Sequence, residues 1–334
     1  MENAYIKAIS YYLPKKIITN EDLAKDFPEW PVEKVASKIG ISERHVVDEQ
    51  ECVSDLAYHA AKKLFDEYSV DRKNIDFILL CTQSPDYFLP TTACILQNKL
   101  EIPTSAGALD FNLGCSGYTY GLSIAKGLIC ANVATNILFL TSETYTKHIH
   151  PKDKGNRTIF GDGATATLIS TDGYAEIKEF SLGTDGSGYS NLIIKKGGMR
   201  YPDKFNYLKF DENGNPISSD YLYMNGSEIF NFTLKNVPLL VEDTLRKNEL
   251  NQSDISLFIF HQANKYMMEF LRKKIKIEES KFCLCMELYG NTVSSTIPIA
   301  LYQAKEENKL TGYVLLAAFG VGYSWGGVVL NFDI

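Results

Sequence analysis

A repeated order of elements restricts the fold of this chain more than anything else in it. Apolar runs of strand length alternate with longer stretches of helical spacing, the pattern of an α/β protein. Residues 75–81, 106–111 and 137–140 read as buried strands, and residues 54–68 and 118–130 as helices between them. Ser54 stands where an N-cap would, ahead of Leu56, Ala57, Ala60, Ala61 and Leu64 at helical spacing. The order then returns: 239–247 as helix, 255–260 as strand, 281–287 as strand, 294–306 as helix and 313–319 as strand. Phe77 matches Phe258 and Cys115 matches Asn291, at offsets of roughly 180 residues. A chain of 334 residues in this pattern predicts two duplicated halves, 1–172 and 173–334. Residues 181–220, rich in Gly, Ser, Asn, Asp and Tyr, read as turns and hairpins.

Charge and cysteine usage narrow the function classes. A formal net charge of −7 gives nucleic acid no general surface to bind. The N-terminal residues lack a basic segment followed by a long apolar one, and the apolar runs are too short to span a bilayer. The expectation is a cytoplasmic chain with no membrane partner. Seven scattered cysteines fit reduced thiols. Cys283-Leu-Cys285 alternates like a strand face, with no second ligand pair at metal spacing, so no metal is expected.

Among the cysteines, Cys115 is distinguished by position. It lies in Leu113-Gly-Cys-Ser-Gly-Tyr118, after a strand and just before a helix, where free N–H groups lower a thiol pKa toward neutrality. Taken alone it reads equally as an inert buried thiol. His261 follows the apolar strand 255–260, at the edge where open α/β sheets gather ligands. Asn291, in Tyr289-Gly-Asn-Thr292, reads equally as a turn residue or a helix cap. His148 and His150 read as residues of a polar loop before Pro151. If the halves face each other, Cys115, His261 and Asn291 share one site, and a thiol beside a histidine and an amide donor suits acyl transfer.

The chain also resembles the β-ketoacyl-acyl carrier protein synthase III family of the thiolase superfamily. The segments that carry the resemblance are Gly40-Ile-Ser-Glu-Arg-His45, Gly114-Cys-Ser-Gly-Tyr118, Phe160-Gly-Asp-Gly-Ala164, Met224-Asn-Gly-Ser-Glu-Ile-Phe230, His261-Gln-Ala-Asn264, Tyr289-Gly-Asn-Thr292 and Phe319-Gly-Val-Gly-Tyr-Ser-Trp-Gly326. The resemblance implies a five-layered α-β-α-β-α fold and a homodimer. It also implies decarboxylating condensation of an acyl thioester with a malonyl thioester on an acyl carrier protein, without a further cofactor.

By the same resemblance Cys115 is the nucleophile, His261 and Asn291 bind the malonyl carbonyl, and the backbone N–H groups of Cys115 and Val321 form the oxyanion hole. Lys38, Lys154, Gly226, Phe230, Asn264, Lys265, Arg272 and Lys273 fall at donor- and carrier-binding positions, and Leu89 at the acyl pocket. The family's coenzyme A clamp uses a tryptophan and arginines, whereas this chain has Lys34, Lys38, Lys154 and Tyr266 there, with Trp30 nearby. Lysine lacks arginine's planar fork. An acyl carrier protein is therefore expected to serve as donor better than coenzyme A. Competing readings keep the triad but move the acyl group to an oxygen or nitrogen nucleophile, or make the chain a silent synthase partner.

Overall fold

The computed structural model describes residues 3–333 apart from 30–31, 205–206, 212–213 and 215, and leaves the side chains of 32–35 undescribed. Nine strands form one sheet: β1 (Tyr5–Tyr12), β2 (Phe77–Cys81), β3 (Gly107–Phe111), β4 (Asn136–Glu143), β5 (Gly163–Ser170), β6 (Ala175–Thr184), β7 (Ile255–Phe260), β8 (Tyr313–Gly320) and β9 (Ser324–Asn331). Six helices matter for the site: α1 (Val53–Tyr68), α2 (Thr92–Lys99), α3 (Gly117–Cys130), α4 (Gly226–Lys247), α5 (Lys265–Ile275) and α6 (Thr296–Glu306).

The duplication is written in the strand order, β7-β8-β9-β6-β1-β5-β4-β2-β3. Outward from the centre, one half runs β1-β5-β4-β2 and the other β6-β9-β8-β7, with the same pairing senses. In each half two antiparallel neighbours are followed by a parallel one. Within the sheet the halves are joined, among the described residues, by the pairing of Tyr5 with Glu176 and Ile6 with Ala175.

Alternation along the strands sorts side chains into three cores. Ile137 and Phe139 face a central core with Leu257 and Ile259, where α3 contributes Leu122 and α6 contributes Ile297. Leu138 and Leu140 point the other way, against Leu56 of α1 and Leu96 of α2. Phe258 and Phe260 face a third core with Leu240 of α4 and Met268 of α5. Helices therefore cover both outer faces and fill the middle, giving five layers.

The boundaries differ from the sequence expectation at three points. Residues 281–287 form no strand; Phe282 makes a single parallel bridge to Phe258. Beyond it the Gln262 side chain competes for the backbone, donating to Cys283 O and accepting from Cys285 N at 2.7 Å. Ser54 does not cap α1: the cap is Cys52, and the Ser54 N–H donates to Asp86 Oδ1 at 3.0 Å. The helix expected over 239–247 is the end of the 22-residue α4, which carries Pro238 within it. Among the described residues no helix is long and apolar enough to cross a membrane.

Candidate active site

Cys115 sits between β3 and α3, in a turn closed by the Gly117 N–H to Gly114 O bond of 2.8 Å. Ser116 and Ser324 hydroxyls, 2.5 Å apart and buried, tie this turn to the start of β9. Gly320, the last residue of β8, lies against the thiol. A Cβ there would stand 2.7 Å from Cys115 Cβ and 3.0 Å from its Sγ, so the approach requires glycine. Cys115 is 8% exposed and packs with Tyr145, Phe160, Leu192, Leu222 and Val293.

Electrostatics at the thiol run against the sequence expectation. Burial pushes Cys115 up to about 12, the Glu143 carboxyl adds to the rise, and the local backbone N–H only partly opposes it. The helix end is outweighed because removing a thiolate from water costs more than one turn of amides returns. Glu143 is itself fully buried; it accepts from Gln83 N at 2.9 Å and Ser84 Oγ at 2.8 Å, and burial lifts it to about 8. Asp162, lifted by burial to about 6, accepts from Thr146 N and Val47 N, both at 2.9 Å.

His261 directly follows β7, and its N–H donates to Ala317 O at 2.9 Å, extending the pairing of β7 with β8. Asn264 then caps α5 by accepting from Met267 N at 2.9 Å, which fixes the chain after the histidine. The imidazole is 2% exposed, packs edge-on to Phe319, and is lowered to about 3 by burial, so it is neutral. Its Nδ1 lies 2.8 Å from Thr296 Oγ1, which also lies 3.1 Å from Val293 O. A hydroxyl has one proton. Given to Val293 O, it leaves Thr296 accepting from Nδ1–H, with a lone pair on Nε2. Given to Nδ1, it leaves the proton on Nε2.

Asn291 is held by an isolated bridge to Phe160 rather than in a free turn. Its N–H donates to Ile159 O at 2.8 Å, and its carbonyl accepts from Gly161 N at 3.1 Å. Its Oδ1 accepts from Val293 N at 2.9 Å, so the amide Nδ2 is the donor left over. Val293 holds φ at 56°, a costly value for a β-branched residue, and packs in the same cluster as Cys115. Gly320 touches Cys115 while its neighbour Phe319 touches His261. Val293 joins the Cys115 cluster to the Asn291 and Thr296 turn. The three residues singled out in the sequence thus converge.

The remaining positions divide. Val321 lies beside Gly114, its Cγ1 placed 2.8 Å from where a Gly114 Cβ would be. Lys265 packs over Gly40, and Phe230 stacks on Tyr266 at 5.7 Å. Gly226 opens α4 and borders a cleft of about 620 Å³ with Asn156 and Met224. Lys38 and Lys273 are exposed, but Lys154 is paired with Glu29 at 3.2 Å. Arg272 is turned back on its own helix, bound to Glu269 at 2.8 Å and to Ile277 O at 3.3 Å. Leu89 is 82% exposed and stands with exposed Tyr87 and Phe88 rather than in the Cys115 cluster of its own chain. Trp30 and the Lys34 side chain lie outside the described residues.

Sequence reasoning missed Glu143, Thr296 and His148. The first two carried a signal, since a carboxylate ending an apolar strand and a hydroxyl opening an apolar helix both have to find buried partners. Among the described residues no cluster of His, Cys, Asp and Glu is arranged to hold a metal ion.

Comparison with known proteins agrees along the whole chain. Residues 109–186 match the family 3-Oxoacyl-[acyl-carrier-protein (ACP)] synthase III, and residues 245–332 match its C-terminal family. The β-ketoacyl-acyl-carrier-protein synthase III of Clostridium perfringens strain SM101 is 36% identical, covering 99% of this chain and all of the relative. A crystal structure of a 3-oxoacyl-(acyl-carrier-protein) synthase III superposes with a TM-score of 0.96 at 48% identity, covering 99% of this chain and 100% of the other. A synthase from Burkholderia xenovorans LB400 gives 0.90 at 34% identity, covering 98% and 94%. With the fold duplicated in this way and Cys115, His261 and Asn291 gathered at its centre, the chain belongs to the β-ketoacyl-acyl-carrier-protein synthase III family of condensing acyltransferases.

Proposed function

We propose that this chain condenses an acyl thioester with malonyl-acyl carrier protein through an acyl-Cys115 intermediate. The convergence of Cys115, His261 and Asn291 about Gly320 and Val293 carries the reading. In the first step Cys115 Sγ attacks the acyl carbonyl, the donor's carbon–sulfur bond breaks, and the thiol proton ends on the departing pantetheine sulfur. With Cys115 raised and His261 lowered, the pair is neutral at rest, so this proton moves during the attack. His261 Nε2 is the basic atom offered for the transfer when Thr296 accepts from Nδ1. The N–H groups of Cys115 and Val321 hold the oxyanion.

In the second step the malonyl carboxylate leaves as carbon dioxide, and its electron pair becomes an enolate. Asn291 Nδ2 and His261 Nε2–H stabilise that charge, the histidine in its other tautomer. The enolate carbon attacks the acyl-Cys115 carbonyl, the carbon–sulfur bond breaks, and the departing thiolate takes a proton from solvent to restore the neutral thiol. The substrates are thioesters and no further cofactor is invoked. In this reading residues 1–172 carry the nucleophile and 173–334 carry its two partners.

The acyl carrier protein docks on the exposed cations of α5, Lys265, Lys273 and Lys274, with Arg272 holding the helix end. Charge complementarity and a start four residues after His261 favour this face. The Tyr87-Phe88-Leu89 ridge is an apolar surface suited to a second copy of the chain, which would bring Leu89 to the partner's acyl pocket. We read the chain as a cytoplasmic homodimer. Because Lys154 is already paired and Tyr266 already stacked, the carrier protein is the better donor than coenzyme A.

Intact-mass measurement after incubation with acyl thioesters on both carriers tests the reading. Acylation mapping to Cys115, faster from the carrier protein, followed by release of a β-ketoacyl product on adding malonyl-acyl carrier protein, is the expected result. Acylation elsewhere, or transfer to an added alcohol or amine without loss of carbon dioxide, contradicts it.

A further inference from the structure

Beside Cys115 lies a cavity of about 810 Å³ whose lining includes Tyr145, Leu192, Leu222 and Val321 together with Gln83 and His148. The first four belong to the cluster that packs on Cys115, so this is the space open to an acyl chain on that sulfur. Its wall mixes apolar side chains with polar ones, among them Asp86, Asn112, Lys196 and Lys204, and two of its polar atoms are buried. Gln83 Oε1 and His148 Nε2 have no hydrogen-bond partner among the described residues. Gln83 donates through Nε2 to Asn112 Oδ1 at 3.2 Å, which leaves Oε1 as the free end of the amide. That oxygen stands 2.6 Å from where a Gly114 Cβ would be, next to the nucleophile. The His148 ring meets Tyr145 edge-on at 6.0 Å, and the residue's carbonyl is fixed by Leu222 N at 2.8 Å. Burial and the Lys204 ammonium lower His148, so its imidazole is neutral, and the backbone carbonyl of Gln83 draws the proton to the other nitrogen. Both free atoms are therefore acceptors.

Buried acceptors are costly when they face hydrocarbon and favourable when a donor reaches them. A wholly aliphatic starter would cover both and satisfy neither. An anionic starter would set its charge against two lone pairs but would share the wall with Lys196 and Lys204, and a succinate ester decides between the two. Lys147, which also lines the cavity, is already bound to the Glu49 and Glu51 carbonyls at 2.9 and 2.6 Å. A hydroxyl, which donates one hydrogen bond and accepts others, answers what the wall presents. Resting on the condensing reading above, we propose that the starter of this enzyme is a short acyl chain bearing a hydroxyl group, received by Gln83 Oε1 and His148 Nε2.

The test compares loading of Cys115 by intact mass from pantetheine thioesters of butyrate, 3-hydroxybutyrate, 4-hydroxybutyrate and succinate. Pantetheine esters remove both the nucleotide and the carrier surface from the comparison. One of the hydroxy esters should load at least about tenfold faster than butyrate, as a site with built acceptors discriminates. His148→Phe and Gln83→Met should each shrink the ratio of hydroxy-ester to butyrate loading severalfold. Equal or faster loading from butyrate, or fastest loading from succinate, overturns the proposal. So does a hydroxyl preference that both substitutions leave intact. If no ester at all loads Cys115, it is the condensing reading that falls, and this inference with it.

Discussion

The two halves place a helix start at matching points, after β3 in the first and after the single Phe282 bridge in the second, and they fill that slot differently. In the first half the slot before α3 holds Cys115, with Glu143 and Asp162 buried nearby as carboxyls that burial has made weak acids. In the second half the slot before α6 holds Asn291 and a run of buried hydroxyls, Thr292, Ser294, Ser295 and Thr296. One side of the site opposes negative charge on the sulfur. The other offers neutral hydroxyl and amide donors. In the proposed function this divergence of side chains divides the chemistry into loading and decarboxylation.

Several substitutions can break or sharpen that contrast. The largest effect is expected from Gly320→Ala. Its Cβ would overlap the Cys115 side chain, and a displacement of that size costs about a hundredfold in rate. Acyl loading should fall by that much while malonyl decarboxylation by the second half changes far less. Equal losses in both would mean that the slots are not separable.

Thr296→Val removes the hydroxyl that sets the His261 tautomer. Decarboxylation should fall about tenfold, with a shifted pH profile, and Thr296→Ser should restore both. A loss that Thr296→Ser fails to rescue would make Thr296 a packing residue.

Glu143→Gln probes the carboxyl side. Glu143 is neutral below about pH 8 and charged above it. Alkylation of Cys115 by iodoacetamide should therefore match the unaltered chain below pH 8 and run severalfold faster above it. The same shift makes a stability prediction. A carboxyl raised from 4.5 to about 8 on folding holds its proton more tightly when folded, so stability falls as pH rises through that window. The glutamine variant should lose less over the same range.

The smallest effect is expected at the surface. Lys273→Glu with Lys274→Glu should slow turnover of carrier-bound malonyl groups a fewfold at low salt and spare Cys115 alkylation. The deficit should shrink at high salt, because the attraction lost is itself screened. Unchanged turnover at low salt would leave α5 as a solvated face.

Much of this was legible in the sequence, because strand ends and turns obey short-range rules. Cys115 and His261 announce themselves by following apolar strands and Asn291 by a turn ahead of a helix, and the strand order repeats as the spacing predicts. What was not legible depends on burial and on competition for backbone groups. Cys283 and Cys285 alternate like strand residues, yet Gln262 takes the hydrogen bonds a ladder would need. Arg272 joins a cationic helix in sequence, but its guanidinium satisfies Glu269 and the chain end of its own helix. His148 reads as loop because its neighbours are polar, and only the fold lays it against the Cys115 cavity. The pKa of Cys115 was misjudged in direction because a helix start is visible in sequence and desolvation is not.

The division of labour between the halves is the central claim, and separated half-reactions test it most directly. Acyl loading would be followed by intact mass, and decarboxylation by carbon dioxide release from malonyl-acyl carrier protein, in Cys115→Ala, His261→Ala and Asn291→Ala. The account predicts that Cys115→Ala loads nothing yet still releases carbon dioxide. His261→Ala and Asn291→Ala should still load while releasing carbon dioxide about a hundredfold more slowly, the scale of removing one oxyanion donor. Loss of carbon dioxide release in Cys115→Ala, or normal release in both of the other variants, would contradict it.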